Sequence, residues 1–138
     1  MGAHSVTYPL ELSQEQLKAF LEFRRLGDKL SSFLFHCNSY TYSIADVMRW
    51  DQACMAVFYI HAAGSLFGYL PKYSLQLSLE HVAGLRDLLA VANKFQTAFL
   101  QLPLKKRIAE NEELYLCFTA AQGMFYDQVR SVIAKAHL

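Results

Sequence analysis

The stock of reactive groups in this chain is small: five histidines, three cysteines and twelve carboxylates. Their spacing forms none of the usual catalytic or metal-binding devices. A di-iron site in a helical bundle needs Glu three residues ahead of His, so that both project from one face. His36, His61, His81 and His137 are preceded at that distance by Phe33, Phe58, Ser78 and Ala134. No HExxH zinc pair exists, and the adjacent Glu80 and His81 would leave a helix about 100° apart, too far round to share an ion. Cys37, Cys54 and Cys117 are widely separated in apolar stretches, without the CxxC spacing of zinc or redox sites. They are expected to be free thiols acting as small hydrophobes. Neither a metal nor a cofactor is expected.

Nucleophilic and phosphate chemistry fare no better. There is no GxSxG elbow and no glycine-rich loop to cradle a phosphate. Arg130 and His137 stand at a spacing used by small helical ribonucleases of the HEPN type, but chance readily supplies so loose a match. Lys105-Lys106-Arg107 is the one basic cluster, and Glu110, Glu112 and Glu113 follow it closely and cancel its field. With a formal net charge of +1, nothing gathers nucleic acid from a distance. The chain is expected not to be an enzyme and not to bind nucleic acid.

The elements that carry these residues read as helical. Ser13 followed by Gln16 is a capping box, each side chain satisfying a backbone N–H of the other. Leu17, Phe20, Leu21, Leu30, Phe33, Leu34 and Cys37 then recur at helical steps, with Gly27 a place for a bend. Ser43 and Asp46 open a second helix in the same way, through Ile44, Val47, Met48 and Trp50, and Pro71 closes it. Residues 71–78 read as a connector, with Ser78 capping a third helix whose face runs from Val82 to Leu102 before Pro103. A last segment runs from about Leu104 to Ala136, with Asn111 as a candidate cap inside it. No strand-like alternation competes, and the first twelve residues read as loosely held. The expected fold is all-α: a single domain over residues 1–138, an antiparallel four- to five-helix bundle.

Composition agrees with a packed domain. Of 138 residues, 54% are hydrophobic and 18% charged, which excludes disorder as the dominant state. Glu11 and Glu15 break any secretory leader, and unpaired thiols suit a reducing compartment, so a cytoplasmic location is expected. Ala53 to Leu70 carries no Asp, Glu, Lys or Arg. As a helix it would extend about 27 Å, close to the roughly 30 Å of a bilayer core, yet His61, Ser65 and the glycines dilute it. A membrane span is not expected; a helix surrounded by protein is. Either the chain wraps that helix, or a second molecule covers it. Ala63, Gly64 and Gly68 present a small surface suited to close helix docking.

Ala62-Ala63-Gly64 with Phe67, Tyr69 and Leu70, then Leu77-Ser78-Leu79-Glu80, Leu85, Leu88-Leu89-Ala90 and Ala92-Asn93, resembles a helical hairpin of the BRO1-domain adaptor family. The resemblance covers residues 62–93. It implies an all-helical adaptor whose hydrophobic surface takes an amphipathic helix of ESCRT-III membrane-remodelling subunits; the family's binding residues do not carry over. From the residues themselves, the function expected is that of a protein–protein interaction or oligomerisation module. It would bury an apolar helix face against a protein partner or a second copy, as a homodimer does. The partner contacts expected are Phe58, His61, Ser65, Phe67, Tyr69 and Tyr73. The alternative is an apolar small molecule held in the bundle interior among ten Phe, eight Tyr and four Met.

Overall fold

Ser13 does what its spacing from Gln16 requires. Its hydroxyl accepts from Gln16 N–H at 3.2 Å and the Gln16 side chain accepts from Ser13 N–H at 2.8 Å, so helix α1 (Gln14–His36) starts with two otherwise orphaned donors satisfied. The computed structural model describes residues 6–37, 42–65 and 72–137. Three more helices follow among the described residues, α2 (Ile44–Ser65), α3 (Leu79–Leu100) and α4 (Ala109–Lys135), with a 3₁₀ turn at Leu104–Lys106. The fold is mostly helical. Among the described residues, no helix is long and apolar enough to cross a membrane.

Two strands correct the all-helical expectation. β1 (Tyr8–Ser13) and β2 (Lys72–Leu77) pair antiparallel, with Leu10 opposite Leu75 and Leu12 opposite Tyr73. The segment expected to be loose and the segment expected to be a connector thus hold each other. Leu10, Leu12, Leu75 and Leu77 are buried while Glu11, Ser74 and Gln76 are exposed, the period-two alternation of a sheet with one wet face. Glu11 and Lys72 meet at 3.2 Å across the strands on that wet side. Two other boundaries shift. α3 ends at Leu100, so Leu102 is buried beyond the helix rather than within it. Ile108, not Asn111, stands at the N-cap of α4, and Asn111 instead donates its side-chain N–H to Lys106 O at 2.9 Å.

Ring contacts show how the helices run. Phe20 meets Phe125 and Phe23 meets Phe118, so α1 and α4 are antiparallel; Phe99 on Tyr115 and Phe95 on Phe118 do the same for α3 and α4. Trp50 of α2 lies fully buried at the centre, 5.0 Å from Phe95 and 5.7 Å from Phe23, centroid to centroid. Each such pair contributes about 0.5–1.5 kcal/mol beyond its area. The indole N–H is not left orphaned: it donates to Asp28 Oδ1 at 2.8 Å. Gly27 makes this placement possible. A Cβ there would lie 2.0 Å from Trp50 Cζ2, so the residue read as a bend is a seat for the indole.

Candidate interaction surface

Three contacts set the pose of α2. Asp46 accepts from Ser43 N–H at 2.9 Å and from the Ser43 hydroxyl at 3.1 Å, closing the first turn. Its other oxygen takes Lys94 Nζ of α3 at 2.6 Å. Burial alone would raise the Asp46 carboxyl, but the Lys94 ammonium and the two Ser43 donors outweigh it and hold the pKa below its ordinary 3.8. Further along, Gly84 of α3 faces Ala56, and a Cβ there would meet the Ala56 Cβ at 3.0 Å. The two helices touch closely.

So fixed, α2 turns Trp50, Ala53, Cys54, Ala56, Val57 and Ile60 inward. Among the described residues α1, α3 and β2 are its main neighbours, and they leave its opposite side exposed. That side carries Arg49, Asp51, Gln52 and His61, too few polar groups to cover it. Ile44, Met48, Met55, Phe58 and Tyr59 therefore remain 56%, 64%, 62%, 55% and 38% exposed. The expectation that this helix is enclosed by protein on most sides fails within the described chain, because two flanking helices can shield one side of a helix and no further described element reaches the other. A surface stripe of this length on a soluble domain marks a place that other matter covers.

The stripe has a groove beside it. Met55, Phe58, Tyr59 and Ala62 on α2 face His81, Gly84 and Asp87 on α3 across an open cleft of about 670 Å³. Its upper wall is built from the α3 cap. Ser78 Oγ accepts from His81 N–H at 3.2 Å and lies 2.9 Å from His81 Nδ1, which sets the imidazole ring. That ring stacks on Tyr59 at 3.9 Å between centroids with planes 8° apart, so a residue of α3 holds Tyr59 on the outer side of α2. The arrangement sets apolar side chains of α2 beside Arg49, Gln52, Glu80, His81 and Asp87, a mixed lining that suits recognition of a side-chain surface. It offers no group of three or more His, Cys, Asp or Glu among the described residues that could hold a metal ion.

No family model, characterised protein or solved structure matches this chain.

The residues singled out from sequence are scattered by the fold. Phe58 and His61 lie exposed on α2. Ser65 is the last residue of that helix, and Phe67, Gly68 and Tyr69 lie outside the described residues. Tyr73 sits in β2, in register with Leu12, and not in an irregular connector. Ala63 packs against the core and Gly64 is buried, so the small pair belongs to the inner side of α2. The residues 62–65 and 79–93 that carry the BRO1 resemblance end α2 and fill most of α3, with β2 between them. Ile44, Met48, Met55, Tyr59 and His81 were not legible as site residues. The available signal was the seven-residue interval from Met48 to Met55 to Ala62, which puts those three near one line of α2; nothing local pointed to His81.

Lys105 and Lys106 are exposed in the 3₁₀ turn, and Arg107 is half-buried with its Nε enclosed and without a hydrogen-bond partner. The interior alternative meets a core of rings that contact one another: Phe23, Trp50, Phe95 and Phe118 form a continuous set.

Proposed function

We propose that this chain is a non-catalytic interaction module, a small antiparallel helical bundle that works by burying the outer face of α2 against another polypeptide. The single observation that carries the reading is the stripe Ile44, Met48, Met55, Phe58 and Tyr59. Five large apolar side chains stand in water within one sector of one helix, about 100° wide and shared with Asp51, beside an open groove of about 670 Å³. Leaving such a surface wet forfeits the hydrophobic free energy that drives association. Of the contacts expected from sequence, Phe58 is the one among this stripe. An amphipathic helix laid along the groove is the partner geometry that fits.

Methionine oxidation tests the reading whatever the partner is. Met48, Met55 and Met124 are 64%, 62% and 56% exposed, so an uncovered chain oxidises all three at similar rates once scaled to the rates of the urea-unfolded chain. Brief peroxide treatment of cells producing the protein, followed by mass spectrometry of its peptides, is expected to show Met48 and Met55 protected several-fold relative to Met124. Equal oxidation of the three in cells overturns the reading.

A further inference from the structure

Resting on that reading, we infer that the occupant of the α2 face is a second copy of this chain, whose own α2 lies antiparallel along it across a two-fold axis. Support comes from the spacing. Ala45, Met48, Gln52, Met55, Tyr59 and Ala62 alternate steps of three and four, the knob pattern of a two-helix seam, and all six are exposed. Antiparallel pairing of such a seam about a point between Gln52 and Met55 is self-complementary. Met48 then packs against the partner's Tyr59, Gln52 against the partner's Met55, and Ala45 against the partner's Ala62.

Every layer pairs a larger with a smaller or more flexible group, or two small groups at the ends, so the helices can stay close throughout. A parallel arrangement would set Tyr59 on the partner's Tyr59 and Ala62 on the partner's Ala62, splaying one end. The polar Gln52 falls beside the axis, about 4.5 Å along it from its symmetry mate at 1.5 Å per residue. Its amide can be satisfied there by the other amide, a device that fixes register in helix pairs.

The area suffices. Ile44, Met48, Met55, Phe58 and Tyr59 together leave roughly 500 Å² in water per protomer, taking about 200 Å² for each large side chain. Pairing two such faces removes roughly 1,000 Å², the lower bound for a specific interface, before Ala45, Gln52, Ala62 and the Arg49 stem are added. An isologous contact of this kind closes on itself and stops at two.

Sedimentation equilibrium of the intact chain is expected to give twice the 15.8 kDa protomer mass at concentrations up to about 100 µM, above the micromolar range of modest interfaces. Met55→Lys alone and Met55→Glu alone are each expected to be monomeric, since like charges would face each other near the axis. Their equimolar mixture is expected to recover the doubled mass, which also shows that both variants fold. Orientation is read in a Cys37→Ser/Cys117→Ser background with a short bismaleimide. Protomers carrying Met48→Cys mixed with protomers carrying Tyr59→Cys crosslink to each other, and neither crosslinks to itself. A wild-type chain that stays at 15.8 kDa throughout overturns the self-pairing. If Met48 and Met55 are nevertheless protected in cells, the interaction reading stands and only this occupant is wrong; if they are not, both fall. Crosslinking of Met48→Cys to itself overturns the antiparallel seam.

Discussion

Replacing Gly27 by Ala tests the packing on which the pose of α2 depends. On an exposed helix this change stabilises by about 1 kcal/mol, because Ala is the better helix former. Here the added methyl would fall 2.0, 2.4 and 2.9 Å from three atoms of the Trp50 ring, where carbon pairs need about 3.5–4.0 Å. The indole must retreat by roughly 1.5 Å to restore those separations. It has nowhere to go: Trp50 is fully buried against Phe23, Phe95 and Phe118 and tied to Asp28. Overpacking of a close-packed core costs about 1–3 kcal/mol or more, and loss of the hydrogen bond to a carboxylate adds about 1.5 kcal/mol. Offset by helix propensity, the net destabilisation is about 3 kcal/mol, or roughly 10 °C in Tm at this chain length. Gly123→Ala is the control, since nothing lies within 4 Å of its added Cβ, and it should be neutral or gain up to about 1 kcal/mol. Urea unfolding followed by far-UV circular dichroism measures both, and the fluorescence of the single Trp reports on ring displacement. A Gly27→Ala protein as stable as Gly123→Ala would refute this account of the seat.

Two further outcomes follow from named groups. The folded pKa of Asp46 is depressed below 3.8, so its ionised form contributes stability in full above the unfolded value, and that contribution is lost as pH falls through the folded one. Asp46→Asn should therefore cost about 1 kcal/mol at neutral pH, discounted because Lys94 is partly exposed, and the gap from wild type should close in urea titrations below pH 3.8; a gap independent of pH would assign the cost to something other than charge. Among the thiols, burial first and the nearby Asp28 carboxylate second push Cys54 up to about 12, whereas Cys117 is exposed and Cys37 half-buried. A disulfide reagent at neutral pH should label Cys117 quickly, Cys37 more slowly, and Cys54 only on unfolding; simultaneous labelling of all three in the native protein would contradict the placement of Cys54.

The sequence by itself determined what is local. Ser13 with Gln16, and Ser78 at the start of α3, specify helix starts because a cap and the N–H it satisfies lie within three residues of each other. Phe20, Leu30 and Leu34 declare an inner face because one helix repeats its geometry every few residues. The absence of paired ligands and nucleophile devices is likewise visible in spacing alone. What only the tertiary structure decided depends on residues far apart in the chain. The alternation in β1 and β2 is six residues long in each strand and becomes a sheet only because Leu10 finds Leu75 and Leu12 finds Tyr73 across the fold. Gly27 looks like a weak point until Trp50 arrives from another helix to occupy the space above it. The direction of α2 is the plainest case. A helix without charge from Ala53 onward carries little sign there of which side is inward, so composition could say that it must be covered but not where. The capping of Asp46, its bond to Lys94 and the close approach of Gly84 to Ala56 turned one apolar face into core and left the other, with Met48, Met55 and Tyr59, at the surface.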